Sequence, residues 1–97
     1  MGYKLTVLNI ALLELEEAVT WYSEISKELS TDLVSKYIKG QKRIQEKPLA
    51  SQQLKGGYRK VSLKRFPFKI VYKVFDDEII IVAFAHHKQE PHYWKKR

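Results

Sequence analysis

Apolar and polar positions change rhythm twice along the chain. Tyr3, Leu5 and Val7 alternate with Lys4, Thr6 and Leu8, the period of two that predicts a short strand. From Ala11 the spacing opens to four and three, so that Ala11, Leu15, Ala18, Tyr22, Ile25 and Leu29 share one helical face. Asn9 stands where an N-cap is wanted, with a side-chain oxygen able to take an orphan N–H. Ser30, Thr31 and Asp32 read as a break or re-capping point. Leu29, Leu33, Tyr37, Gly40 and Ile44 continue the seam across it, with Val34 and Ile38 broadening it. Pro48 disfavours helix in the residue before it, so this second helix is predicted to stop by about Lys47. The aromatics of this stretch, Trp21 and Tyr22 included, are assigned to core packing. Two antiparallel helices with a short connection are the simplest arrangement.

Residues 48–57 form the one long loop, and after it the period returns to two. Strands are predicted over Arg59–Leu63, Phe68–Val74 and Ile79–Ala85, with turns at Lys64-Arg65-Phe66-Pro67 and Asp76-Asp77. The last strand is apolar at nearly every position and is therefore expected to be central and covered on both faces. The fold class that follows is α+β. It comprises an N-terminal strand, an antiparallel two-helix hairpin and a three-stranded antiparallel meander forming one sheet, then a short C-terminal tail. Residues 1–97 are read as a single domain.

Composition narrows the chemistry. The chain has no cysteine, which excludes disulfides, thiolate catalysis and thiolate metal sites. No apolar run approaches the ~20 residues of a membrane-spanning helix, and the first residues lack the basic, apolar and small-residue pattern of a secretory signal. A cytoplasmic protein without membrane attachment is expected. The net charge of +7 is unevenly placed. Residues 1–48 carry seven basic and seven acidic groups, whereas residues 49–97 carry eleven and four. A neutral first half and a basic second half suggest a surface facing a polyanion or an acidic partner.

Strand parity locates that surface. Val61 and Leu63 point to the core, which turns Lys60 and Lys64 the other way; in the next strand Lys69 and Lys73 oppose the apolar set Phe68, Ile70, Tyr72 and Val74. Lys60, Lys64, Lys69 and Lys73 are thus expected to line one side of a ribbon that carries no acidic residue. Arg59, Arg65 and Lys88 add to its charge, and Arg59, Lys64, Arg65, Lys69, Lys73 and Lys88 form the expected nucleic-acid-binding set. The tail then brings His86, His87, His92, Tyr93 and Trp94 among further basic residues. Histidine and tyrosine exchange protons and aromatic rings stack on unpaired bases; alternatively Tyr93 and Trp94 fold back as a lid over the sheet. His86 is placed at a strand end beside the basic face, and His92 is read as an ordinary surface residue. The histidines lack metal-ligand spacing, so neither metal nor cofactor is expected.

In this order and at this length the segments resemble the RelE/ParE superfamily of toxins from bacterial toxin–antitoxin pairs. The resemblance is carried by the helical hairpin ending at Pro48, by Leu54-Lys55-Gly56-Gly57-Tyr58-Arg59, and by Arg65-Phe66-Pro67-Phe68-Lys69-Ile70-Val71-Tyr72-Lys73-Val74. The acidic turn and the tail from Ala85 to Arg97 complete it. The resemblance implies one of two activities. RelE-like members cut messenger RNA in the ribosomal A site without metal, whereas ParE-like members bind DNA gyrase. It implies in either case a cognate small antitoxin protein as partner.

For cleavage by 2′-hydroxyl attack, the resemblance implies catalytic roles for Lys60, a family lysine, and for Tyr93, the tail tyrosine, with His86 or His87 restoring an acid–base group. The chain departs from RelE at three places. Lys69 stands where RelE has an arginine, Ser62 where a second lysine is expected, and Lys88 or His87 where a tail arginine is expected. The leading expectation is a ribosome-associated mRNA endoribonuclease. The alternatives are a non-catalytic gyrase inhibitor and an inactive module that binds only antitoxin or nucleic acid.

Overall fold

The computed structural model describes residues 2–97. Its elements are β1 (Lys4–Val7), α1 (Asn9–Ser23), α2 (Lys27–Glu46), β2 (Gln52–Gln53), β3 (Tyr58–Ser62), β4 (Phe68–Phe75) and β5 (Glu78–His86), with 3-10 turns at Lys55–Gly57 and Tyr93–Lys96. The sheet runs β1-β5-β4-β3-β2. β1 pairs parallel with β5, Lys4 opposite Glu78, and every other pair is antiparallel. The helices cover one face. Leu33, Tyr37 and Ile44 of α2 and Ala11 and Ala18 of α1 pack there with Val61, Leu63, Ile70, Tyr72, Ile79, Ile81 and Phe84. β5, with β1 on one side and β4 on the other, is buried from Ile81 to Ala85, as its unbroken apolar run requires.

Several local expectations give way to specific competitors. Asn9 is the first helical residue, and the cap position belongs to Leu8, which has extended backbone and no capping side chain. The cause is the parallel ladder, because Leu8 N–H donates to the Ile81 carbonyl at 3.0 Å and holds the chain extended one residue past β1. The break between the helices falls at residues 24–26, not at Ser30-Thr31-Asp32. Ser26 caps α2 by accepting from Leu29 N–H, and Ser30 sits inside the helix with its hydroxyl donating to the Lys27 carbonyl. Serine and threonine satisfy themselves on the preceding turn as readily as they cap. Val34 and Ile38 do not broaden the seam, and Ile25 leaves it; all three are exposed. Trp21 is 59% exposed, so its assignment to the core is also overturned.

The loop over 48–57 contains an unexpected fifth strand. Arg59 Nη1 donates to the carbonyls of Leu49 and Ser51 at 3.0 and 2.8 Å, and the Tyr72 hydroxyl donates to the Pro48 carbonyl at 2.7 Å. So pinned, Gln53 and Gln52 pair with Arg59 and Lys60. Gly56 and Gly57 then take φ of +79° and +82°, a double left-handed turn that favours glycine at both places. β2 has only two residues, which leaves the outer edge of β3 open from Val61 onward.

A second departure from simple alternation lies in β5. Tyr72 faces Ile81 and Val71 faces Ala83, so Val82 is an extra residue, a β-bulge. Among the described residues no helix is long and apolar enough to cross a membrane.

α2 lies so close to the sheet that a Cβ at Gly40 would stand 2.9 Å from Ile70 Cδ1 and 3.5 Å from Leu63 Cδ2. Gly40→Leu is expected to lower stability by about 1–3 kcal/mol in urea denaturation through overpacking. Gly40→Ala should cost far less, because the ~1 kcal/mol gain in helix propensity offsets a shift of the flexible Ile70 tip.

Candidate binding surface on the basic sheet face

The face of the sheet turned away from the helices is built by β3, β4 and β5. Lys60, Lys69 and Lys73 project there, around an apolar strip of Tyr58, Val71, Ala83 and Ala85. The lysines are staggered. Lys60 faces Val71, Lys69 faces Ser62 and Lys73 faces Tyr58 across the ladder, so no two cations stand directly opposite. Aromatic rings relieve part of what repulsion is left. Lys69 Nζ lies 5.6 Å from the Trp94 ring centroid and Lys73 Nζ 5.1 Å from that of Tyr58. Burial, and then the field of Lys60, lower the Lys69 pKa.

The bulge decides which histidine joins them. Without the extra residue at Val82, His86 would share the lysine face; with it the alternation reverses. His86 consequently faces the helix side, its ring edge-on to Phe68 at 5.1 Å and its Nδ1 accepting from Lys88 N–H at 3.0 Å. His87 takes the place beside the lysines. Although the residue is exposed, partial desolvation of the ring first, and then Lys69 and Lys60, lower its pKa, with a backbone hydrogen bond to Phe68 opposing.

The tail closes over the far part of this face. Trp94 is 2% exposed and covers the apolar strip, edge-on to Tyr58 at 6.4 Å. The Tyr93 hydroxyl donates to Glu14 Oε2 at 2.7 Å. Arg97 donates to both Glu14 oxygens at 2.9 and 3.2 Å and to the Val82 carbonyl at 2.9 Å, with its guanidinium 4.8 Å from the Tyr93 ring centroid. Burial and then Glu14 push the Tyr93 phenol well above its ordinary value, so it stays a protonated donor. The hydrogen bond to Glu14 likewise raises the Arg97 pKa.

The other basic residues singled out from the sequence are dispersed. Arg59 is spent on the loop carbonyls. Arg65, at φ +74°, reaches Asp32 Oδ2 at 2.6 Å, and Lys36 reaches the other Asp32 oxygen at 3.0 Å. Those two bonds hold the Asp32 carboxyl below its usual range. Lys64 lies past the end of β3 and is not part of the ribbon. It lines a groove at the open β3 edge with Lys36, Lys39 and Arg43 of α2. Lys88 is exposed beyond the end of β5. Among the described residues no group of three His, Asp or Glu side chains is placed to hold a metal ion. Glu14 and Arg97 were not legible as a pair. The available signal was that Glu14 falls three residues after Ala11 and four before Ala18, an acid at the spacing of the buried helix face.

This architecture coincides with a known one. The model of the family described as ParE toxin of type II toxin–antitoxin system, parDE, matches residues 7–91. The chain belongs to the ParE toxin family. Its partner as such a toxin is a cognate antitoxin. Among solved structures, one titled chromosomal ParDE TA system from P. aeruginosa superposes with a TM-score of 0.76 at 23% identity, covering 87% of this chain and 95% of that one. A double arginine-to-alanine mutant of E. coli toxin RelE in the free state superposes with a TM-score of 0.60 at 19% identity, covering 91% and 86%. At these identities the likeness is one of fold. No curated protein sequence matches the chain.

The environment of His87 in this ParE-family toxin makes a titration prediction. Replacing Lys60 and Lys69 together by Met should raise the His87 pKa toward its ordinary 6.5, read by NMR of the imidazole carbons. Because folding lowers this pKa, the unfolded chain binds the proton more readily. The contribution of His87 therefore favours the fold above about pH 6.5 and is lost as pH falls through the lowered value. That pH dependence should shrink in the double variant.

Proposed function

We propose that this ParE-family toxin arrests growth by binding DNA gyrase through the basic sheet face, without cutting RNA. One observation carries the reading: the proton-transfer groups expected for RNA cleavage are separated. Attack by a 2′-hydroxyl needs a base on one side of the phosphate and an acid on the other. Lys60 and His87 share the basic face, but His86 lies on the opposite face of the sheet and the Tyr93 hydroxyl is engaged by Glu14. What the face offers instead is a staggered set of cations around an apolar strip, partly roofed by Trp94. Such a surface suits a large acidic partner, with charge steering the approach and the strip supplying contact area. The match to the ParE family over residues 7–91 favours the same branch.

A second reading rests on His87 alone. Partial desolvation and two lysines favour its neutral form, the form that accepts a proton, and the same lysines suit a phosphate. On that reading the toxin remains a ribosome-associated endoribonuclease with His87 as base.

Two measurements on one inducible strain separate them. The expected result is growth arrest with loss of gyrase supercoiling in vitro and no codon-phased new 5′ ends in messenger RNA. Lys60→Glu with Lys69→Glu should raise the toxin concentration needed for inhibition by about tenfold or more, while His86→Ala leaves it unchanged. Codon-phased ends that vanish in His87→Ala, with supercoiling intact, would establish the nuclease instead.

A further inference from the structure

The helix side of the sheet end holds a cavity of about 450 Å³ whose character is opposite to that of the basic face. Its walls include Trp21 and Tyr22 of α1, Phe68 of β4, and Phe84 and the His86 imidazole of β5, with the Gln89 amide beside them, and its carboxylates are Glu14 and Glu17. No lysine or arginine lines it, in a chain with eighteen of them against eleven acids. The aromatics are mutually braced. Phe68 stacks on Phe84 at 4.7 Å, Tyr22 stands edge-on to Phe68 at 6.4 Å, and Trp21 edge-on to Tyr22 at 4.9 Å. Aromatic faces carry negative potential, and a carboxylate beside them completes a cage for a cation. Glu14 is already committed to Phe84 N–H, Tyr93 and Arg97. Glu17 is exposed and, among the described residues, makes no ion pair.

We infer that this cavity receives an arginine side chain of a partner polypeptide, flanked by apolar residues. A guanidinium matches the site better than an ammonium, since it stacks flat on rings while its fork meets a carboxylate with two bonds. The chain uses that chemistry internally, where Arg97 lies over Tyr93 and clasps Glu14. A polypeptide is indicated over a free small cation because the cavity continues into an exposed apolar stripe. Ile10, Leu13 and Trp21 are 45, 56 and 59% exposed, and with Glu17 they recur at three- and four-residue intervals on one line of α1. The inference is independent of the gyrase reading, which uses the other face.

The test uses the full chain and the fluorescence of Trp21, since Trp94 is shielded. Acetyl-Leu-Arg-Leu-amide is titrated at fixed ionic strength, beside the same peptide with citrulline for arginine and beside arginine amide alone. A saturable change with the arginine peptide is expected, weaker by about fivefold with citrulline. Calorimetry should show Glu17→Gln weakening binding by about two- to fivefold and Trp21→Ala doing at least as much; both side chains are exposed, so neither change threatens the fold. Equal binding of the citrulline peptide would overturn the cation, and equal binding of arginine amide would overturn the polypeptide. Absence of saturation, or indifference to both substitutions, would overturn the site.

Discussion

Where β1 ends at Val7 and the chain turns into α1, the outer edge of β5 loses its ladder partner, yet it remains buried. Side chains replace the missing strand. Glu14 accepts from Phe84 N–H at 3.0 Å and Arg97 donates to the Val82 carbonyl at 2.9 Å, so a helix residue and a tail residue finish the hydrogen bonding of one strand. Each buried backbone group left unpaired there would cost about 1–3 kcal/mol. Because Glu14 and Arg97 also bond each other, and Tyr93 joins them, the seat of α1, the bulge in β5 and the docking of Trp94 stand or fall together. The basic face owes its shape to this joint, since Trp94 is both its roof and the ring beneath Lys69.

The result is a small protein with separated electrostatic roles. Cations gather on one side of the sheet around an apolar strip, and an aromatic, carboxylate-bearing cavity opens on the other. A member of the ParE toxin family meets an antitoxin as well as a target. Two surfaces of opposite preference let such a protein distinguish partners by sign of charge as well as by shape.

The fold was legible wherever period and punctuation agreed. The buried line Leu33, Tyr37, Gly40 and Ile44 of α2, its end before Pro48, the acidic turn at Asp76-Asp77 and the meander all follow from spacing and punctuation. So do Lys60, Lys69 and Lys73 on one face. What was not legible depends on contacts between distant segments. The ladder bond from Leu8 to Ile81 overrides the cap expected at Asn9, and Arg59 shapes a two-residue strand out of a loop. The expected placement of His86 beside the basic face failed for the same kind of reason. An apolar run such as Ile79 to Ala85 gives no sign of which residue will bulge, and one uncounted residue exchanges His86 for His87. Trp21 shows the limit of reading aromatics as core by default, because its place on α1 lies outside the core-facing line of buried Ala11 and Ala18 and half-buried Leu15 and Tyr22.

The brevity of β2 has a colloidal consequence. Beyond Gln52 the outer edge of β3 exposes backbone donors and acceptors, the feature through which sheets of separate molecules join. Here that edge is flanked by Lys36, Lys39, Arg43 and Lys64. Two copies approaching edge to edge would bring these cations together. The toxin thus carries its own guard against self-aggregation, written as charge along the stretch of β3 that pairing leaves bare.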